Sequence, residues 1–331
     1  MNNTVLQVLL LSLILILCLH PVRGTYQRKV VVVTTINVLA DIARQIGGKY
    51  VEVHSIVSGV ENPHTYSIKP SDKLLLEKAD IYVEIGEPLE GFRAQLLSGI
   101  DLSDKIIITC LQLPNIIVLP NKNPHIWLNP DNALIIAFAI KNALINVDPI
   151  HKEHYEDRYL EFKERISSLK RYIESRTSEI KESNVILVLP APEPLISCMN
   201  NIKVLDTIVK IPGQQPTPHE VASIEELIKK NNVRILVGNA LLKVPIAERV
   251  AADTGTLLVY FLPLLSVSRG VSDYFSLIRY NVDMIIDAIR YSSKLEEYNG
   301  GLSVNDLILI AIAILEAFVI IYLSVRTYVC G

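Results

Sequence analysis

The sequence predicts an α/β protein of two parallel-sheet lobes joined by one long helix, and three observations carry that expectation. Short β-branched runs alternate with helical stretches before residue 131 and again after residue 184, the pattern of βαβ units and parallel sheets. Between the two sets runs 151–182, a charged stretch of more than 30 residues without Gly or Pro, which reads as a single helix solvated on one side. The mean hydropathy of +0.33 is high for a soluble body, and its excess lies at the two chain ends.

In order, 29–35 reads as a buried strand, 37–47 as a helix, 51–57 as a strand, 73–78 as a helix, and 81–85 and 106–109 as strands. An apolar helix over 132–146 stops at Val147-Asp148-Pro149, and Pro149 opens the long charged helix. Strands then follow at 185–189, 203–208, 234–237 and 257–261, separated by helices at 223–230, 244–255 and 273–293. His219 in Pro216-Thr-Pro-His-Glu220 marks a helix start, where an acid suits the helix dipole. The 331 residues allow about two domains at roughly 150 residues each.

The ends predict export and a membrane anchor. Val5 to Leu19 is apolar but for Gln7 and Ser12 and leads to Val22-Arg23-Gly24, the shape of a secretory signal cut near Gly24. Because no Lys or Arg precedes it, an uncleaved anchor is the alternative. Leu307 to Val325 is apolar except for Glu316, Tyr322 and Ser324, and at about 1.5 Å per residue it just crosses a hydrocarbon core of roughly 30 Å. Acids before it (Glu296, Glu297 and Asp306) and Arg326 after it place the short tail in the cytoplasm and the body outside. Glu316 is costly in lipid, and reads either as a partner contact or as a protonated, tolerated side chain. The expected divisions are a signal peptide at 1–24, a first lobe at 25–148, the linking helix at 149–183, a second lobe at 184–299 and a transmembrane anchor at 303–326.

A formal charge of −3 with no basic stripe excludes a nucleic-acid partner. Of four cysteines only Cys110 and Cys198 belong to the body; outside the cell they could pair, but their spacing is not that of a thiolate metal site. No phosphate-binding loop, nucleophile elbow or HExxH motif is present. The tripeptide Asn-Pro-His occurs twice, at 62–64 and 123–125, each time after a strand and a loop. Asn-Pro restricts the backbone on both residues and so fixes where the following imidazole points, as a metal ligand requires. Neutral imidazole is the commonest metal ligand, and two in one cleft suit zinc, manganese or a similar ion. The other body histidines read as surface or strand residues: His151 and His154 on the solvated helix, and His54 on a strand.

From residue 29 to about 290 the chain resembles the substrate-binding proteins of zinc and manganese ABC importers. The resemblance runs in order through Val31-Val-Val-Thr-Thr-Ile-Asn-Val-Leu-Ala-Asp-Ile42, Asn62-Pro-His-Thr-Tyr66, Lys69-Pro-Ser-Asp72, Lys78-Ala-Asp80, Gly86-Glu-Pro-Leu-Glu-Gly-Phe92 and Asn123-Pro-His-Ile-Trp-Leu-Asn-Pro130. It continues through Pro216-Thr-Pro-His-Glu220, Val250-Ala-Ala-Asp-Thr-Gly255, Tyr274 and Asn281. The resemblance implies two lobes tied by a rigid helix, an ABC permease as partner, and an ion held by two histidines of the first lobe plus a His and a carboxylate of the second.

His64 and His125 stand at the first two of those positions, but the others fall at Pro190 and Leu262, which carry no donor, and an interior acid appears as Asn239. Glu193, in a proline-stiffened loop three residues beyond Pro190, is the substitute ligand the segment offers, with water as the alternative. No His-rich loop lies between His64 and His125, which tilts against dedicated zinc uptake.

The expected function is an extracytoplasmic receptor capturing a divalent metal (zinc or manganese) for a permease, with His64, His125 and Glu193 as ligands and no catalysis. The alternative keeps the fold with a degenerate metal site that binds another small solute or a partner protein. A metallohydrolase built on the two histidines lacks the general base and third ligand it needs.

Overall fold

The computed structural model describes residues 28–301 apart from positions 60, 212, 266 and 269, with the backbone alone for 295–301. The expected signal peptide, the apolar segment 307–325 with Glu316, and Cys18 and Cys330 lie outside the described residues. Among the described residues, no helix is long and apolar enough to cross a membrane.

The first half folds as β1 (Val30–Ile36), α1 (Asn37–Gly47), β2 (Val51–Val57), α2 (Pro70–Glu77), β3 (Ile81–Glu84), α3 (Arg93–Leu97), β4 (Ile106–Thr109) and α4 (Pro130–Val147). Its strands pair in the order β2-β1-β3-β4, all parallel. Helices cover both faces of such a sheet, so β1 reads Val-Val-Val-Val-Thr-Thr-Ile without alternation and is buried along nearly its whole length. On α1, Val38, Leu39, Ile42, Ala43 and Ile46 form one buried helical stripe. Gly48 closes that helix at φ 57°, and a Cβ there would stand 2.6 Å from His154 Nε2, so both backbone and space call for glycine.

The second half repeats the plan with β5 (Ser183–Leu187), α6 (Glu193–Ile196), β6 (Ile202–Thr207), α7 (Pro218–Lys230), β7 (Ile235–Asn239), α8 (Pro245–Thr254), β8 (Leu257–Phe261) and α9 (Tyr274–Gly301). Its sheet order is β6-β5-β7-β8, again parallel.

Between the halves runs α5 (Lys152–Ser178), whose 27 residues span about 40 Å at 1.5 Å each. Tyr155, Phe162, Ile166, Leu169, Ile173 and Thr177 are its buried positions, spaced by sevens, fours and threes, so one stripe packs and the rest is solvated. The helix is fastened to both halves. Arg158 Nε donates to the Gln45 carbonyl at 2.8 Å, and Arg165 donates to Gln45 Oε1 at 2.6 Å and to Asp273 at 3.0 Å. Arg176 reaches Asp283 at 2.8 Å and Asp287 at 2.6 Å on α9. One buried apolar cluster continues from Val32 in the first sheet through Phe162 to Val237 in the second.

Several expectations change. Helices α2, α4 and α7 start at Pro70, Pro130 and Pro218, earlier than the sequence reading placed them, because proline sits well in a first turn whose N–H has no partner to lose. Thr217 and Glu220 cap α7 reciprocally, bearing out His219 as part of a helix start. The long helix ends at Ser178 rather than Glu182. Cys110 and Cys198 are both free. His151 and His154 are not simple surface residues: His151 stacks on Tyr50 at 3.6 Å and pairs with Asp148 at 2.7 Å, and His154 Nε2 is buried.

In each sheet the strand order reverses beside the first strand of its half, β1 or β5, and such a crevice at the carboxyl ends is where open α/β sheets bind ligands. The two carboxyl edges meet across one cleft, lined from the first half by Asn62, Pro63, His64, His125 and Trp127.

Candidate metal centre

The two Asn-Pro-His tripeptides fold alike. Asn62 Oδ1 accepts the His64 backbone N–H at 3.0 Å, and Asn123 Oδ1 accepts that of His125 at 3.1 Å. An Asn side chain bonding two residues ahead forms a turn that the intervening proline stiffens. Each turn aims its imidazole into the cleft, and the rings meet with Nε2 3.4 Å from Nε2.

The His125 proton lies on the far side of its ring. His125 Nδ1 stands 2.8 Å from Asn123 Oδ1, and an amide oxygen only accepts, so Nδ1 carries the hydrogen and Nε2 keeps its lone pair. The backbone of Pro88, whose one polar group is its carbonyl, acts on the His64 ring as an acceptor that favours its protonated form. Burial keeps both rings neutral: it lowers the His64 pKa against the smaller opposing pull of Pro88, and with the neighbouring His64 it takes His125 down to about 3. The His125 Nε2 lone pair thus faces His64 Nε2 across 3.4 Å, a spacing that a cation between the two nitrogens can bridge. A metal about 2.0–2.1 Å from nitrogens 3.4 Å apart subtends roughly 110°, the tetrahedral angle.

Packing holds this geometry. Trp127 is fully buried, its ring lies 5.1 Å from that of His125, and its Nε1 donates to the Pro263 carbonyl at 2.9 Å. Behind His64, the buried Glu90 accepts from Thr35 Oγ1 at 2.6 Å, from Ile85 N at 2.9 Å and from Gly86 N at 2.7 Å, winding the loop that presents Pro88. Burial raises the Glu90 pKa to about 7, against the pull of those three donors and with help from Glu84. Asn123, Trp127, Pro88 and Glu90 were not singled out from the sequence as parts of a site; the repeated tripeptide itself was the available signal for Asn123.

The second half supplies a different wall. Pro190, Ala191, Leu242, Pro263 and Leu264 face the histidines, with Asn239 the polar side chain among them, around a narrow space of about 20 Å³ partly open to solvent. Asn239 Oδ1 accepts from Leu241 N at 2.8 Å. Leu262 is buried beside the wall, its N–H and carbonyl both held by Asn281 at 2.7 and 2.8 Å. Glu193 does not join His64 and His125: it is not among the residues lining the cleft, and its carboxylate accepts from Asn121 Nδ2. Among the described residues, no group of three or more His, Cys, Asp or Glu side chains is arranged to hold a metal.

The ZnuA family profile, described as zinc-uptake complex component A, periplasmic, matches residues 32–288. The iron-binding protein YfeA of Yersinia pestis is 28% identical over 272 residues, which cover 78% of this chain and 86% of that protein. The manganese ABC transporter substrate-binding lipoprotein PsaA of Streptococcus anginosus is 25% identical over 310 residues, covering 86% and 97%. In fold, the chain is like the Mn-bound periplasmic metal binding protein from Candidatus Liberibacter asiaticus, with a TM-score of 0.69 at 20% identity over 79% of this chain and 100% of that one. The chain belongs to the ZnuA family, the metal-binding receptors of metal ABC transporters, and is a solute-binding transport protein rather than an enzyme.

Proposed function

We propose that this protein is exported, held at the outer face of the membrane by the apolar segment 307–325, and passes a divalent metal to an ABC permease. Its cargo ion binds His64 Nε2 and His125 Nε2. The carrying observation is the 3.4 Å approach of two neutral imidazoles, with the His125 proton engaged by Asn123 on the far side of its ring. Relatives named for manganese and iron support the class of cargo.

Water completes the shell, and Asn239 is the polar side chain that the second half brings to the cleft. Glu193 instead serves the contact between the halves. Without a carboxylate in the shell, the charge of a divalent ion is offset only by neutral ligands, so affinity is lower than a four-ligand protein site gives. Imidazole favours zinc, iron and later ions over manganese, which prefers oxygen donors. Zinc is therefore the leading cargo, in spite of the missing His-rich loop.

Calorimetry on the chelator-treated full chain tests this. One zinc equivalent is expected, weakened more than about 100-fold in both His64→Ala and His125→Ala, beyond what loss of an outer partner alone produces. Unchanged zinc affinity in both variants contradicts the reading. A second reading, in which the cleft takes a solute without metal, is favoured by Pro190 and Leu262 at the remaining positions; zinc binding weaker than about millimolar supports it.

A further inference from the structure

Asn123 divides its side chain between two partners that belong to different halves of the molecule. Its Oδ1 accepts from the His125 backbone at 3.1 Å and from His125 Nδ1 at 2.8 Å, and its Nδ2 donates to the Pro190 carbonyl at 2.6 Å. Pro190 lies at the position where the family resemblance places a ligand from the second half. We infer that Asn123 is a positioning residue that couples metal capture at His125 to closure of the second half, through the Pro190 carbonyl, in place of a direct second-half ligand. This rests on the metal-binding reading above.

The coupling follows from the hydrogen-bond chain. A cation on His125 Nε2 draws electron density from the ring, so the Nδ1 hydrogen becomes a stronger donor to Asn123 Oδ1. An amide polarised at its oxygen donates more strongly through its nitrogen, which tightens the bond to Pro190. Consecutive hydrogen bonds polarise one another in this way, most in a low-dielectric interior, and Asn123 and His125 are 3% and 6% exposed. Coupling is reciprocal: the closed contact makes Asn123 a better acceptor, raises the basicity of His125 and slows ion release. Asn121 adds a parallel contact to Glu193 in the same segment, and also accepts the Asn123 backbone N–H at 3.2 Å, holding the turn in place.

Asn123→Asp separates the two bonds. It keeps an acceptor for His125 and removes the donor to Pro190. Hydrogen exchange is followed on the full chain with and without zinc, together with the rate of zinc release to a chelator. In the wild type, zinc is expected to slow exchange in residues 191–197. In Asn123→Asp zinc still binds, the carboxylate serving as a stronger acceptor for His125 Nδ1 that by itself slows release, but that protection is lost. Asn123→Ala, which removes both bonds, is expected to lose the protection and bind zinc more weakly than Asn123→Asp. Undiminished zinc protection of 191–197 in Asn123→Asp overturns the inference and leaves the metal-binding reading standing. Failure of the wild type to bind zinc overturns both.

Discussion

Asn37 and Leu265 exchange two hydrogen bonds across the molecule, Asn37 Nδ2 to the Leu265 carbonyl at 2.9 Å and Leu265 N–H to Asn37 Oδ1 at 3.1 Å. Asn37 opens α1 at the carboxyl end of β1, whereas Leu265 follows the Pro263 and Leu264 wall of the cleft. With Trp127 holding the Pro263 carbonyl, residues of the first half place part of the second half's wall. Asn37→Ala leaves the Leu265 N–H and carbonyl buried without these partners. Two such losses predict about 2–4 kcal/mol of destabilisation in urea unfolding, and a change below about 0.5 kcal/mol counts against the contact.

The linking helix is expected to act as a brace through Arg176. Its side chain is mostly buried, while Asp283 and Asp287 are more exposed, so solvent screens the pairs in part. Arg176→Met predicts a loss of about 1–3 kcal/mol, smaller at high salt. An unchanged thermal midpoint at low salt contradicts that role.

Acid stability carries two opposed contributions. His125 titrates near 3 in the folded chain against an ordinary 6.5, so below pH 6.5 the unfolded chain binds a proton that the folded one refuses. Stability from this group therefore falls as pH drops from 6.5 towards 3, by at most about 1.4 kcal/mol per pH unit. Glu90 runs the other way: with its pKa raised from 4.5 to about 7, its contribution is fully present below 4.5 and is lost as pH rises to 7. Between pH 4.5 and 6.5 the two slopes largely cancel. Glu90→Gln removes the second, so the stability of the apo variant should fall more steeply with acid than that of the wild type. Parallel stability curves for the two proteins from pH 4.5 to 6.5 refute the Glu90 assignment.

Ion preference should follow the donor set. With two imidazoles and no carboxylate, zinc should bind about tenfold or more tightly than manganese in direct competition. Equal affinities point to a shell dominated by oxygen donors and contradict the two-imidazole assignment.

What the sequence reveals follows the physics of each feature. Among the described residues the central strand β1 is legible as a continuous β-branched run, and the edge strands β2 and β6 as shorter apolar runs broken by polar residues. The short helices Arg93–Leu97 and Glu193–Ile196 are not, since neither is long enough to show a helical period. The long helix showed itself by lacking Gly and Pro, yet the stacking of His151 on Tyr50 joins residues about a hundred positions apart and leaves no periodic trace. At the site, the repeated Asn-Pro-His marked both imidazoles. Glu193 lies close to Pro190 in sequence, but the fold turns its carboxylate toward Asn121. The bond from Asn123 to Pro190 spans 67 positions and is created by the meeting of the halves.

X-ray absorption at the zinc edge of the metal-loaded full chain counts the imidazoles on the ion. Two imidazole nitrogens at about 2.0–2.1 Å are expected, the remaining shell being oxygen from water or amide, and one imidazole fewer in His64→Ala. A first shell without imidazole, or one unchanged by His64→Ala and His125→Ala, would contradict metal binding at these two histidines.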